Sequence, residues 1–224
     1  SHFASETVVH VPAGEYTDTG VGLEGSYSNA GLIGSPEGVV LHRAAESDTP
    51  VRPTITATGG SVRIENLTIK GAHSHRQSRW RVGAADGARM ELLNVNMPDG
   101  AVGSSNATGI HAGTDHAGTA AIKLGADNSV VRGCYFEATD TVPAGPGEAT
   151  QRAIVVDGPG TNLVIDDCDV NWTDAGSTPI DFTVTSTGSE GTISNVRMTD
   201  PGAGLFAADW EGDSAWSGEN IKVG

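Results

Sequence analysis

Short runs of alternating apolar and polar residues recur along the chain. In VRIENLTIKG (62–71), Val62, Ile64, Leu67 and Ile69 alternate with Arg63, Glu65, Thr68 and Lys70, with Asn66 between the two halves. Such alternation belongs to strands with one buried and one wet face. The pattern, a short strand, one Asn or Cys and a second short strand ending in turn residues, returns in MELLNVNMPDG (90–100), SVVRGCYFEATD (129–140), LVIDDCDVNWTD (163–174), GTISNVRMTDPG (191–202) and SGENIKVG (217–224). Aligning Asn66, Asn94, Cys134, Cys168, Asn195 and Asn220 as anchors gives separations of 28, 40, 34, 27 and 25 residues. That is a base period near 25 with insertions in the second and third intervals. A further strand precedes several anchors, in RWRVGAADG (79–87), AIKLGADNS (121–129), RAIVVDGPG (152–160) and IDFTVTSTGS (180–189).

Three strands per repeat predict an all-β, single-stranded right-handed parallel β-helix of about six to seven coils, with loop insertions on one side. One such domain covers 1–224. Residues 1–50 form the first coil and N-terminal cap region, 51–204 the regular coils, and 205–224 a last, uncapped coil. The insertions fall at 71–80, 98–120 and 139–151.

On these coils the chain resembles the pectate-lyase-like β-helix superfamily. Its opening, TVVHVPAGEYTD (7–18) followed by AGLIGSPEGVVLHR (30–43), is similar to that family's first coil. The resemblance implies a fold shared by lyases, hydrolases, epimerases, tailspikes and adhesive surface proteins. It also implies substrate beside the first strand of each coil, where the insertions stand. The calcium-binding Asp clusters and Arg motif of true pectate lyases have no counterpart here.

Composition narrows the picture. Thirteen basic against 28 acidic residues give a net charge of −15, which lacks the basic footprint that nucleic acid requires. Aromatics at 5% and 31 glycines disfavour a helical bundle with a large core. No run approaches the ~20 apolar residues of a membrane-spanning helix, so membrane insertion is not expected. Three lysines in an otherwise strongly acidic chain resemble proteins of extreme halophiles, archaeal ones included, where salt screens self-repulsion. The chain begins at Ser1 without a charged-then-apolar leader, so any secretion signal is expected on a longer precursor.

Candidate chemistry concentrates in the insertions, which interrupt a regular scaffold. The first, GAHSHRQSRW, supplies His73, His75, Arg76, Arg79 and Trp80, followed by Arg81. The second carries His111, Asp115 and His116, and Arg152 follows the third. Guanidinium groups suit carboxylates and an aromatic plate suits a sugar face. His73, His75, Arg76, Arg79, Trp80, Arg81 and Asp115 are therefore the candidate glycan-binding residues. A lyase needs a base and a cation beside a uronate carboxylate, for which His111, His116 and Arg152 are the candidates. A hydrolase needs paired carboxyl groups, for which Asp181 and Asp209 are available.

Asp86, Asp127 and Asp157 recur in turns after the first strand and are expected mainly as turn formers. A stacked row of carboxylates also makes them the candidates for Ca2+. Cys134 and Cys168 fall at equivalent places in adjacent coils, where parallel side chains fit two buried free thiols better than a disulfide. Of three glycosylation sequons, at Asn66, Asn106 and Asn171, Asn66 is expected to be buried in an anchor ladder, and only Asn106 is a credible acceptor.

These features predict an extracellular surface protein or virion appendage, such as a tail fibre, that recognises a glycan or acidic polysaccharide. Its uncapped C-terminal coil is expected to join other subunits of the assembly. The alternatives are a polysaccharide lyase or glycoside hydrolase, and a purely structural spacer.

Overall fold

The computed structural model describes residues 4–18, 25–43, 54–70, 81–84, 88–97, 110–111, 119–124, 126–138, 151–156, 159–172, 180–182, 188–199 and 215–223. Every described element is a β-strand, and every pairing but one is parallel. With that one exception, described strands close in sequence do not pair as hairpins. Each pairs with its counterpart one repeat further on.

The pairings arrange the strands in three rows. One row runs through β1 (Val8–Val11), β3 (Gly25–Gly34), the middle of β5 (Thr54–Lys70), the first half of β7 (Ala88–Met97), β10 (Val130–Arg132), β13 (Leu163–Asp166), β16 (Glu190–Ser194) and β18 (Ala215–Glu219). A second takes β2 (Gly14–Asp18), β4 (Val39–Arg43), the end of β5, the end of β7, β11 (Tyr135–Ala138), β14 (Asp169–Trp172), β17 (Arg197–Thr199) and β19 (Lys222–Val223). The third comprises β6 (Arg81–Ala84), paired with the start of β5, and a four-stranded sheet of β8 (Ile110–His111), β9 (Thr119–Leu124), β12 (Gln151–Val156) and β15 (Ile180–Phe182).

The alternation read from the sequence sets the core. Leu32, Ile64, Leu92, Val131, Ile165 and Ile193 stand in one in-register column, none more than 3% exposed. Across the corner, Ile69, Met97, Phe136, Val170 and Met198 form a second column, also buried. Burying each such side chain contributes about 1.5–3 kcal/mol, which no single repeat gains without its neighbours.

The corner between the first two rows corrects the anchor alignment. Asn94 stands opposite Gly133, and Val95 opposite Cys134, because Leu93 pairs with Arg132 and Asn96 with Tyr135. The equivalent corner residues are Asn66, Asn94, Gly133, Asp167, Asn195 and Asn220, all with φ between 51° and 64°. What recurs is a left-handed backbone, which Asn, Asp and Gly adopt at least cost. The two cysteines sit one position later, in the buried column with Leu67, Val95 and Val196. The corner amides are exposed or half-buried and lie outside the core. They link neighbours there: Asn94 Nδ2 donates to Asn66 Oδ1 at 3.2 Å and Asn220 Nδ2 to Asn195 Oδ1 at 2.8 Å.

Candidate functional site

The segments that interrupt the repeats share one position in the fold. Each leaves the end of a second-row strand and returns at the start of a third-row strand. Residues 71–80 return at Arg81, 98–118 at Thr119 and 139–150 at Gln151. Thr119 and Gln151 are direct partners in the ladder between β9 and β12, so the two longest segments re-enter the sheet side by side. Arg81 likewise stands opposite Thr54, where the 44–53 segment returns. Thr119 and Gln151 belong to the strands, so the regular sheet reclaims the last residues of the expected insertions 98–120 and 139–151.

Within the second segment, β8 pairs antiparallel with the entry end of β9, placing Ile110 opposite Ala120 and His111 opposite Thr119. Ala120 in turn faces Arg152 on β12. His111 and Arg152 thus lie one ladder row apart on either side of β9. Cα atoms of β6, which begins at Arg81, come within 8 Å of both β8 and β9. Three sequence candidates therefore share one edge by backbone position. Arg152 has the strand parity of Ile154 and Val156, which are buried. His73, His75, Arg76, Arg79, Trp80, Asp115, His116 and Asn106, with Asp86 and Asp157, lie outside the described residues.

The arginines divide by location. Four on the regular strands pair with carboxylates: Arg63 with Glu65 at 2.6 Å, Arg132 with Asp166 at 3.0 Å, Arg197 with Asp169 at 2.7 Å, and Arg89 with Glu91. The other six, Arg43, Arg52, Arg76, Arg79, Arg81 and Arg152, fall within the interrupting segments or at the strand ends that flank them. From Asn66 to Ala85 the sequence holds four cations and no carboxylate, in a chain of net charge −15.

Asp127 is the described member of the aspartate set. Its Oδ1 accepts from the backbone N–H of Thr161 at 2.7 Å and from the Thr161 hydroxyl at 3.1 Å. Val156 pairs with Leu124, so position 157 follows the ladder by one residue and position 127 by three. The ladder at this second corner is built instead by Asn128 and Asn162, both at positive φ, with Asn162 Nδ2 donating to Asn128 Oδ1 at 2.8 Å. The polar letters after Ala126 and Pro159 carried that signal; the Asp-Gly and Asp-Asn pairs obscured it. Among the described residues no three His, Cys, Asp or Glu side chains converge as a metal site.

Cys134 and Cys168 are free and buried. The hydrogen bond with Cys134, then burial, pushes the Cys168 thiol well above its ordinary pKa. Asn171, whose amide donates to Glu137 at 3.0 Å, is engaged within a strand, whereas Asn66 is a half-buried corner residue. The expectation that Asn66 is buried thus fails, because the corner turns its side chain out of the core.

No protein-family model matches the chain, and a comparison with curated proteins finds no relative. The functional reading therefore rests on the edge itself.

Proposed function

We propose that this chain is a right-handed parallel β-helix of the pectate-lyase-like kind that recognises an acidic glycan along the edge formed by its interrupting segments. The alternation of three parallel rows supports the helical path, and parallel crossovers are almost always right-handed. The observation that carries the glycan reading is the division of the arginines. Four on the regular strands pair with carboxylates, and the backbones of Arg81 and Arg152 stand with that of His111 at the strand ends to which the interrupting segments return. Cations gathered this way in an acidic chain suit a polymer bearing spaced carboxylates, held by forked guanidinium contacts. The acidity and loop-bearing scaffold fit an extracellular surface or virion appendage in high salt, with further subunits of the assembly as partners.

Cleavage is the second reading; β8 and β12 flank β9 on either side, which brings the backbones of a base candidate, His111, and a cation candidate, Arg152, to one end of the same sheet. Incubation with immobilised polyuronates and a neutral glucan in high salt, with and without Ca2+, tests both readings. Polyuronate retained without fragments supports the appendage, and fragments whose release stops in His111→Ala or Arg152→Ala support the lyase. Equal retention of neutral and acidic polymers rejects both.

A further inference from the structure

A separate depression lies at the other corner, beside the first repeats. It encloses about 340 Å³ and is lined by His10, Pro12, Ile33, Gly34, Pro36 and Asn66, with Val11 and Ser35 completing the wall. Its origin is a gap in the amide ladder. Asn66 Oδ1 accepts from Asn94, and the next corner position is Gly34, one step beyond the Ile33–Glu65 pair. Gly34 has no side chain to continue the ladder. The Asn66 amide is left with the Gly34 carbonyl at 3.4 Å, the outer limit of a hydrogen bond. No side chain can fill the gap from position 34, because a Cβ there would lie 2.1 Å from the Asn66 carbonyl oxygen.

The lining defines what fits. Asn66 offers a neutral N–H donor. The Ser35 oxygen already accepts from the Glu37 N–H at 3.3 Å, which leaves its own proton for an acceptor. His10 is exposed and has no hydrogen-bond partner among the described residues. No lysine or arginine lines the depression, so a carboxylate or phosphate would meet no fixed counter-charge. The remaining wall is carbon from Ile33, Pro12 and Pro36. A neutral carbonyl acceptor carrying a methyl group matches both halves of this wall, and the volume lies at the lower end of small-ligand sites, about 300–1,000 Å³.

The geometry points to a subsite for the acetamido group of an N-acetylated sugar, its carbonyl accepting from Asn66 Nδ2, its methyl against Ile33 and Pro36, and its ring beside the His10 imidazole. The choice of a sugar as the carrier rests on the reading of the chain as a glycan binder; the acetamide chemistry rests on the depression alone.

Titration of the 15N-labelled protein with N-acetylglucosamine, glucose and Nε-acetyl-lysine tests the assignment, with polyuronate retention measured on the same preparation. The expected result is a saturable shift of the Gly34, Ser35 and Asn66 resonances with N-acetylglucosamine and none with glucose. Asn66→Gly keeps the positive-φ corner while removing the amide, and is expected to weaken binding about tenfold. His10→Ala, at an exposed side chain, is expected to weaken it less while leaving the fold unchanged. No saturable shift, an equal response to glucose, or unchanged affinity in Asn66→Gly overturns the subsite. An equal response to Nε-acetyl-lysine overturns the sugar as carrier. Polyuronate retained by a protein whose depression stays silent refutes this subsite and leaves the loop edge standing; a responsive depression without retention does the reverse.

Discussion

Asp166 accepts from Arg132 of the preceding repeat at 3.0 Å through Oδ2, while its Oδ1 accepts from Ser194 at 2.7 Å and Asn195 at 2.9 Å in the following one. A single carboxylate thereby ties three successive repeats together on the outer face. Burial alone would raise its pKa, but the hydrogen bonds from Ser194, Asn195 and Arg132 and the Arg132 charge more than offset that, and the carboxyl titrates below its ordinary value. The folded state therefore binds this proton less tightly than the unfolded chain. Its contribution is complete above the ordinary aspartate value of about 3.9 and is lost as pH falls from there through the lowered folded value. Acid unfolding followed by circular dichroism is expected to lose part of its slope in that window in Asp166→Asn. At neutral pH that variant is expected to lose about 1–3 kcal/mol, since three donors face a weaker acceptor. An unchanged acid profile would show that the clamp contributes nothing.

Gly133 occupies the corner with φ of 64°, and a Cβ there would lie 2.4 Å from Asn94 Oδ1. Gly133→Ala thus meets two separable penalties, backbone strain of about 1–2 kcal/mol and a side-chain collision. Thermal melting of Gly133→Ala, Asn94→Ala and the double variant separates them. The double variant is expected to be more stable than the sum of the singles predicts, because the collision is gone and only the strain remains.

Cys134 and Cys168 are expected to resist thiol reagents in the folded protein and to react fully once denatured. Each is at most 2% exposed, and their mutual hydrogen bond and burial hold the Cys168 proton to higher pH. Labelling with a chromogenic disulfide at pH 8, with and without denaturant, checks this. Immediate reaction of the native protein would contradict the packing described.

Trp216 covers a missing side chain. It pairs with Gly191, whose Cβ would lie 2.8 Å from the indole ring, and its Nε1 donates to the buried Ser189 hydroxyl at 2.9 Å. Trp216→Ala is expected to cost about 2–4 kcal/mol by removing the ring from above Gly191 and the indole N–H from the buried Ser189 hydroxyl. Trp216→Phe is expected to recover the packing share alone. Denaturant unfolding of the two variants measures the division; equal losses would mean that the ring contributes no packing.

The strands were legible because burial at 62–70 follows the alternation of the letters: Val62, Ile64, Leu67 and Ile69 are inside, and Arg63, Glu65 and Thr68 face outward. The corner was less legible. An amide letter marks it at Asn66 and Asn94, but the physical requirement is a positive φ, which Gly133 and Asp167 meet without the letter. Matching by letter therefore shifted both cysteines by one position. At the candidate edge, spacing identified which connection carries the insertions. It did not reveal β8, because two residues leave no periodicity to read. The depression at Asn66 was hidden for a different reason: it arises from a side chain that Gly34 lacks, and only strand register shows which residue stands opposite.

The in-register return of Thr119 and Gln151 separates what this molecule holds constant from what it is free to vary. Segments of different length, 98–118 and 139–150, begin and end on the same pair of rows without disturbing the ladder between them. The ladder thus accepts connections of different length between the same two rows. A lineage built on such a ladder can lengthen or shorten one connection at a time while the strand pairing on either side of it stays in register.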